Sequence, residues 1–198
     1  MIEIFDSGYF HKYGMSVDLN KTRQTSELLT DALFFSRETI VFLSHKHDDL
    51  QDLQDIIGFL QKEFKVLVYI DSKDSNMPVI TSGETASRIK RMIKKCNRFI
   101  LMATEGAIES KWCNWELGYG DALKYPQKIA LFPIKPHKSY DYEYKGNEYM
   151  RIYPYISYYT GYEYINGKYV DKGYYITTIN PDGSKSLKKL WDWFHWSI

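Results

Sequence analysis

Four short apolar runs, separated by segments with helical spacing, constrain the fold of this chain more than any other feature. The runs are rich in β-branched and aromatic residues, as buried parallel strands are. Since predicted strands alternate with predicted helices over about a hundred residues, we expect an α/β fold: a flavodoxin-like parallel sheet flanked by helices. The four predicted strands are Thr39–Leu43, Val66–Ile70, Phe99–Ala103 and Ile129–Phe132, the last ended by Pro133 and Pro136.

Three helices are predicted between these strands. Apolar residues recur at helical spacing from Leu50 to Phe64, which indicates an amphipathic helix. Thr81–Glu84 has the pattern of a capping box and predicts a helix that continues to about Lys95. Ser110 is suited to cap a further helix over roughly 111–123.

The two flanks differ from the central segment. Residues 1–36 form a lead-in with one predicted helix near Glu27–Phe35. Thirteen of the 18 tyrosines lie between Tyr140 and Tyr175, where Asn166-Gly167 predicts a β-hairpin, and a final helix is predicted from about Ser186. We therefore divide the chain into the lead-in, an α/β domain at 37–136, and a β-hairpin and helix extension at 137–198 packed on its core.

Composition restricts the class of protein. The formal net charge of +1 gives no electrostatic reason to expect nucleic acid or a membrane surface as a partner. The longest apolar runs are too short to cross a bilayer, and the first residues lack the pattern of a secretory signal. Only Cys96 and Cys113 are present, which favours reduced thiols and a cytoplasmic location.

Ligands of open parallel sheets bind beyond the carboxyl ends of the strands, and one candidate site lies there. Trp112 and Glu116 are four residues apart, so they project from the same face of the helix that follows the third strand. An indole attracts a flat cationic ring, and a carboxylate offsets positive charge that develops on a sugar. The alternative is that Trp112 belongs to the core and Glu116 is a solvated helix residue.

Several motifs fall in register with the predicted strands. Phe42-Leu-Ser-His45 with Asp48-Asp49 ends the first strand, and Tyr69-Ile-Asp71 ends the second. Ser110-Lys-Trp-Cys, followed by Glu116-Leu117, comes after the third. Together they resemble the Toll/interleukin-1 receptor (TIR) domain family and its S-x-W-C-x-x-E-L signature, over roughly residues 38–135. Tyr69 stands where many members have tryptophan, and Thr104 where a serine often ends the third strand.

The resemblance implies a bacterial TIR enzyme of the NAD-cleaving type, with Glu116 as its catalytic residue. Nicotinamide leaves NAD+ as a neutral molecule, so one carboxylate suffices and no general acid is required. NAD+ is then a substrate rather than a cofactor, and no G-x-G-x-x-G motif follows the first strand. The substrate-binding residues expected from the resemblance are Ser44, His45, Tyr69, Asp71, Ser82, Ser110, Trp112 and Trp115.

Three other signals favour ordinary structural roles. The Ser44–Asp49 segment superficially resembles an H-x-H-x-D-H metal motif, but Leu50 replaces the final histidine, so we expect no metal. Basic residues between Arg88 and Arg98 are typical of a solvated helix face. Residues 138–198 hold eight Lys and Arg against seven Asp and Glu, so their tyrosines suit packing rather than nucleic-acid binding.

The resemblance further implies an NAD+ glycohydrolase, or an ADP-ribosyl cyclase or transferase, similar to the TIR proteins of Thoeris antiphage defence. Its ADP-ribose-derived product would act on a separate effector. Two alternatives stay open: a non-catalytic TIR adaptor, and a nucleoside N-glycosidase. Self-association is also expected, through the loop from Asp71 to Ser82 and its apolar residues Met77–Ile80, unless these fold over their own subunit.

Overall fold

The computed structural model describes residues 1–15, 17, 38–73, 83–136 and 148–196. Three sequence predictions fall outside these ranges. They are the helix near Glu27–Phe35, the first two residues of the Thr81–Glu84 capping box, and the apolar cluster Met77–Ile80.

In the described ranges, ten strands form a large mixed sheet and a separate hairpin. The strands are β1 (Phe5–Asp6), β2 (Ile40–Ser44), β3 (Leu67–Tyr69), β4 (Arg98–Ala103), β5 (Ile129–Lys135), β6 (Tyr155–Tyr159), β7 (Tyr164–Ile165), β8 (Lys168–Tyr169), β9 (Gly173–Ile179) and β10 (Lys185–Lys189). The large sheet has the order β10-β9-β6-β5-β4-β2-β3, and β1 pairs with β5. The neighbouring strands from β3 through β2, β4 and β5 to β6 pair in parallel, whereas β9 pairs antiparallel with both β6 and β10. The predicted α/β fold is therefore confirmed.

Helices cover both faces of the sheet. They are α1 (His11–Gly14), α2 (Leu50–Phe64), α3 (Gly83–Lys95), α4 (Glu105–Glu109), α5 (Lys111–Lys124) and α6 (Leu190–His195), with 3-10 turns at Asp71–Lys73 and Glu148–Ile152. Residues of α1, α2 and α6 share one core cluster with one sheet face, and residues of α3, α4 and α5 share a second cluster with the other. Within the described ranges no helix is both long enough and apolar enough to cross a membrane.

The alternation of side chains along β2 separates the two cores. Val41 and Leu43 belong to the cluster beneath α2, whereas Ile40 and Phe42 belong to the cluster beneath α3 and α5. Successive side chains of a strand point to opposite faces, so a strand covered on both faces must be apolar throughout. All five residues of β2 are buried, including Ser44 at its carboxyl end.

Strand β5 continues past the position where the sequence predicted its end. Pro133 lies inside the strand, opposite Ala103 of β4. The Leu131 N–H donates to the carbonyl of Pro154, so the nitrogen of Pro133, two residues on, faces the same side. On that side β6 pairs at Leu131 and β1 pairs from Ile134 onward. The proline occupies the gap between them, where a missing N–H removes no ladder bond.

The tyrosine-rich segment extends the same sheet. The predicted hairpin is confirmed: β7 and β8 pair around Asn166 and Gly167, whose φ values are 51° and 78°. The final helix was predicted to begin too early, because residues 185–189 form β10 and pair with β9 before α6 begins at Leu190. Leu190, Trp193 and Phe194 are buried in the core beneath α2. The division at residue 136 stays a prediction, since the sheet is continuous across it.

Candidate active site

Helix α5 begins at the edge of the sheet where the parallel strands end. The Ser110 hydroxyl accepts a hydrogen bond from the Cys113 N–H at 3.3 Å, so Ser110 caps the helix as predicted. The first turns of α5 carry Trp112, Cys113 and Glu116. They therefore bring Glu116 to Ser44, the last residue of β2.

The Glu116 carboxylate is nearly inaccessible to solvent, with 2% of the residue exposed. The Ser44 hydroxyl, itself buried, donates to Oε2 at 2.5 Å. The second oxygen, Oε1, accepts no hydrogen bond of normal geometry from the described residues. A buried carboxylate with one unused oxygen is held in place and still has capacity to accept hydrogen bonds from a ligand.

The surroundings of Glu116 favour its neutral form. Burial and then the negative charge of Asp71 raise the pKa of Glu116 to about 8, while Ser44 and a weaker contact from Trp112 oppose this shift. Burial disfavours the ionised form because the protein replaces water that would solvate the charge. A positive group beside Glu116 would restore the ionised form, which makes this position suitable for a cationic ligand.

His45 and Asp71 lie at the same edge. His45 Nδ1 is 3.3 Å from the Leu43 carbonyl and 3.9 Å from Asp71 Oδ1, and its Nε2 is 3.3 Å from the Ser72 hydroxyl. Burial lowers the pKa of His45, and the charge of Asp71 opposes that shift. Both ring nitrogens thus have neighbours within the chain, and the histidine fixes the loop after β2 against the turn after β3.

The remaining predicted substrate-binding residues are placed less uniformly. The Trp112 side chain is partly buried and contacts Trp115, with ring centroids 5.0 Å apart. Trp115 also stacks on Tyr119, and the ammonium group of Lys90 lies over its ring, so its contacts point towards α3. The structure brings Ser44, His45, Asp71 and Trp112 to the neighbourhood of Glu116.

Tyr69 has a different environment. Its side chain is fully buried and its ring lies 5.4 Å from that of Phe42. It therefore offers no surface to a ligand in this conformation, because β3 is buried along its whole length, including at Tyr69 as its last residue. Its binding role stays a prediction, as do those of Ser110, which caps α5, and of Ser82, which lies outside the described residues.

Sequence reasoning missed two features of this edge. The Cys113 thiol lies beside Ser44 and Ser110, and burial raises its pKa to about 11, so it is a packing group rather than a nucleophile. The short helix α4 was not predicted, although Thr104 caps it by accepting from the Ala107 N–H and donates to Asp49 at 2.5 Å. A polar residue directly after an apolar strand was the signal that could have located it.

Helix α4 borders a cleft of about 430 Å³ at the ends of β2, β4 and β5. The described lining residues are mostly charged or hydroxylated and include Lys46, Asp49, Asp52 and Thr104. Glu116 lies on the α5 side of this edge and is not among them. The edge beyond the parallel strands thus holds both a polar cleft and the buried carboxylate.

The paired histidines form no metal site in this structure. His45 and His47 stack with centroids 5.7 Å apart, and the described residues contain no group of three or more His, Cys, Asp or Glu that could hold a metal ion.

Comparison with known families adds to this geometry. A family model described as "TIR domain" matches residues 41–164, which is more than half of the chain. The chain belongs to the TIR domain family. The matched segment of the TIR domain begins in β2 and reaches β7, so it includes Ser44, Asp71 and Glu116 and continues past the predicted boundary at 136.

The chain is also similar to a curated protein from Bacillus cereus (strain MSX-D12), which is named "Probable 3' cyclic ADP-D-ribose synthase ThsB'". The two are 32% identical over 119 residues, which cover 59% of this chain and 60% of the relative. The TIR domain therefore spans less than two thirds of that relative's length.

Proposed function

We propose that this TIR domain cleaves NAD+ at the bond between nicotinamide and ribose, with Glu116 as the catalytic residue. The observation that carries the proposal is the buried Glu116 carboxylate, held by Ser44 through Oε2 with Oε1 free of partners among the described residues. Membership of the TIR family and the similarity to a probable cyclic ADP-ribose synthase support the same assignment.

The chemistry requires one carboxylate. The C1′–N bond breaks, its electron pair goes to the pyridinium nitrogen, and nicotinamide leaves as a neutral molecule. The positive charge that had been on the ring passes to the ribose as an oxocarbenium ion. The Glu116 carboxylate offsets that charge where it develops, and Oε1 accepts a hydrogen bond from a ribose hydroxyl. The oxocarbenium carbon is then captured by water or by a hydroxyl group, which loses its proton.

Substrate binding would itself activate the carboxylate. Burial and the charge of Asp71 raise the pKa of Glu116 to about 8. The pyridinium ring of NAD+ brings a positive charge into this poorly solvated site, and an opposite charge favours the ionised carboxylate. Glu116 thus ionises when the pyridinium ring of NAD+ is bound beside it.

Release of nicotinamide from NAD+ tests the assignment directly. Glu116→Gln should reduce turnover at least about a hundredfold, since the amide keeps the shape but lacks the charge. Glu63→Gln is the matched control, because Glu63 is an exposed glutamate near the far end of α2 and should retain wild-type activity. Wild-type turnover by Glu116→Gln would contradict the mechanism. If the concentrated parent protein releases no nicotinamide, the adaptor function replaces the enzyme.

The identity of the acceptor decides the product. We propose that this TIR domain makes an ADP-ribose derivative that acts on a separate effector in antiphage defence. A hydroxyl of the same molecule gives a cyclic product, water gives ADP-ribose, and another acceptor gives a conjugate. Mass spectrometry of the reaction with NAD+ distinguishes the three. A parallel screen with nucleosides tests the N-glycosidase alternative, which requires base release from nucleosides that lack the pyridinium charge.

A further inference from the structure

A second cavity, of about 290 Å³, lies at the opposite edge of the sheet. It is bounded by Arg98 at the amino end of β4, by the segment before β5, by β9 and β10, and by the end of α6. The six residues of β4 separate Arg98 from the edge that holds Glu116. At about 3.3 Å per residue this is roughly 17 Å, so the two sites do not overlap.

The charges around this cavity have one sign. Its described lining residues include Arg98, Lys128 and Lys188 and no aspartate or glutamate. Arg98 is 5% exposed, so its guanidinium is largely removed from water. A buried cation without a counter-ion is unfavourable, and buried charges in proteins are ordinarily paired.

The partners of Arg98 are carbonyl oxygens. Its Nε donates to the Trp193 carbonyl at 2.8 Å, and its Nη1 donates to the Asn97 carbonyl at 3.1 Å. The guanidinium also lies 5.2 Å from the centre of the Trp193 ring. These contacts fix the guanidinium plane at the wall of the cavity. Among the residues described, none supplies a carboxylate to it.

A further cation lies behind this wall. The Lys124 ammonium donates to the carbonyls of Cys96 and Lys94. Burial lowers the pKa of Lys124, and the positive charges of Lys128 and Arg98 lower it further. Three positive groups therefore lie close enough to repel one another. An anion in the cavity would relieve this repulsion and would pair with a guanidinium that is already positioned.

The rest of the wall suits a flat apolar body. Trp193 and Trp196 both line the cavity, and the side chain of Trp196 is 68% exposed. The Trp193 indole N–H donates to the Gln127 carbonyl at 2.7 Å, which fixes its ring plane. The exposed Trp196 indole at the rim offers a face on which an aromatic ring can stack. Thr178 of β9 also lines the cavity and adds a hydroxyl group.

We propose that this cavity binds a small molecule with a flat aromatic ring and a phosphate group, of the size of a nucleoside monophosphate. Arg98 and Lys128 pair with the phosphate, and Trp196 covers the ring. The volume of the cavity lies at the lower end of the range of small-molecule sites. The cavity is therefore too small to enclose a whole dinucleotide. This site is independent of the proposed NAD+ chemistry, because it shares no residue with the neighbourhood of Glu116.

Calorimetric titration of the full chain with AMP tests the proposal, with adenosine and inorganic phosphate as partial ligands. AMP should bind at least tenfold more tightly than either. Lys128→Gln and Trp196→Ala should each weaken AMP binding about tenfold, and both residues are exposed, so the fold should be retained. Lys168→Gln and Trp191→Ala are matched controls, since each removes the same kind of exposed side chain away from the cavity. They should bind AMP as the parent does.

Three outcomes would overturn the proposal. One is the absence of AMP binding at millimolar concentration, and another is adenosine binding as tightly as AMP, which would remove the role of the phosphate. The third is AMP binding that Lys128→Gln and Trp196→Ala leave unchanged, which would place the nucleotide elsewhere, including at Glu116. Arg98→Lys supplies a further check, because lysine keeps the positive charge but lacks the planar pair of donors. This variant should bind AMP more weakly than the parent while its melting temperature stays close to that of the parent.

Discussion

Replacing Glu116 by glutamine removes a carboxylate that the fold keeps almost entirely away from water, so the substitution should change how stability depends on pH. Burial and the Asp71 charge raise the pKa of Glu116 from its ordinary 4.5 to about 8. Between these two pH values the unfolded chain releases the proton that the folded chain retains. The contribution of Glu116 to the free energy of unfolding therefore falls as pH rises from about 4.5 to about 8, and is constant on either side of that window.

The size of this effect follows from the two pKa values. Their difference corresponds to at most about 5 kcal/mol, at roughly 1.4 kcal/mol for each tenfold change in the equilibrium. A glutamine retains a partner, because the Ser44 hydroxyl can accept as well as donate, and its remaining buried N–H costs about 1–3 kcal/mol at every pH. We expect Glu116→Gln to be slightly less stable than the parent at pH 5 and more stable at pH 8.5.

Urea denaturation of the parent and of Glu116→Gln at five pH values from 5 to 9 measures this difference. Glu63→Gln controls for the loss of one negative charge from an exposed position. The argument fails if the parent and Glu116→Gln give parallel curves across the window. That result would show that the carboxylate ionises in the folded chain as easily as in water.

Four further outcomes are expected. Gly58→Ala should lower the free energy of unfolding in urea by about 2–3 kcal/mol, since its Cβ would lie 2.2 Å from the Tyr13 carbonyl oxygen. Gly118→Ala should raise the free energy of unfolding by about 0.5–1 kcal/mol, because its Cβ would meet no atom within 4 Å. Equal effects would refute this packing argument. Trp112→Ala should lower NAD+ turnover and reduce stability by roughly 2–3 kcal/mol, and unchanged turnover would leave Trp112 a packing residue. The kcat/KM for NAD+ should rise with pH and level off above about 8, because the free enzyme must ionise Glu116; a flat profile from pH 6 to 9 contradicts this. Specific activity should increase with protein concentration if subunits complete each other's sites, and constant activity through a dilution series would exclude that.

The parallel part of the fold was predictable because each strand is buried on both faces. In β2, Val41 and Leu43 face one core and Ile40 and Phe42 face the other. A strand of this kind must be apolar along its whole length, so it can be recognised in the sequence as an uninterrupted apolar run. The start of the final helix was predicted several residues too early, and this error also has a physical cause. Leu187 and Leu190 satisfy helical spacing, but pairing with β9 holds Leu187 in a strand.

The sequence predicted only in part which residues lie close together at the candidate active site. The spacing of Trp112 and Glu116 placed both on one helix face, and the strand ends placed Ser44 at the same edge. The sequence could not distinguish Tyr69 as a core residue, because strand ends and strand interiors carry the same residue types. Nor could it reveal Arg98 as a cavity wall, since that depends on Trp193, which comes 95 residues later.

The first strand has a consequence for the order in which the chain folds. Phe5 pairs with Ile134 of β5, and Ile2 forms a bridge with Tyr158 of β6. During synthesis β1 leaves the ribosome before its partners, which are made more than a hundred residues later. Until β5 is in place, Phe5 lacks its strand partner Ile134 and the ring of Phe132. Strand β1 is therefore among the last strands to pair, and closing so long a loop slows that step of folding.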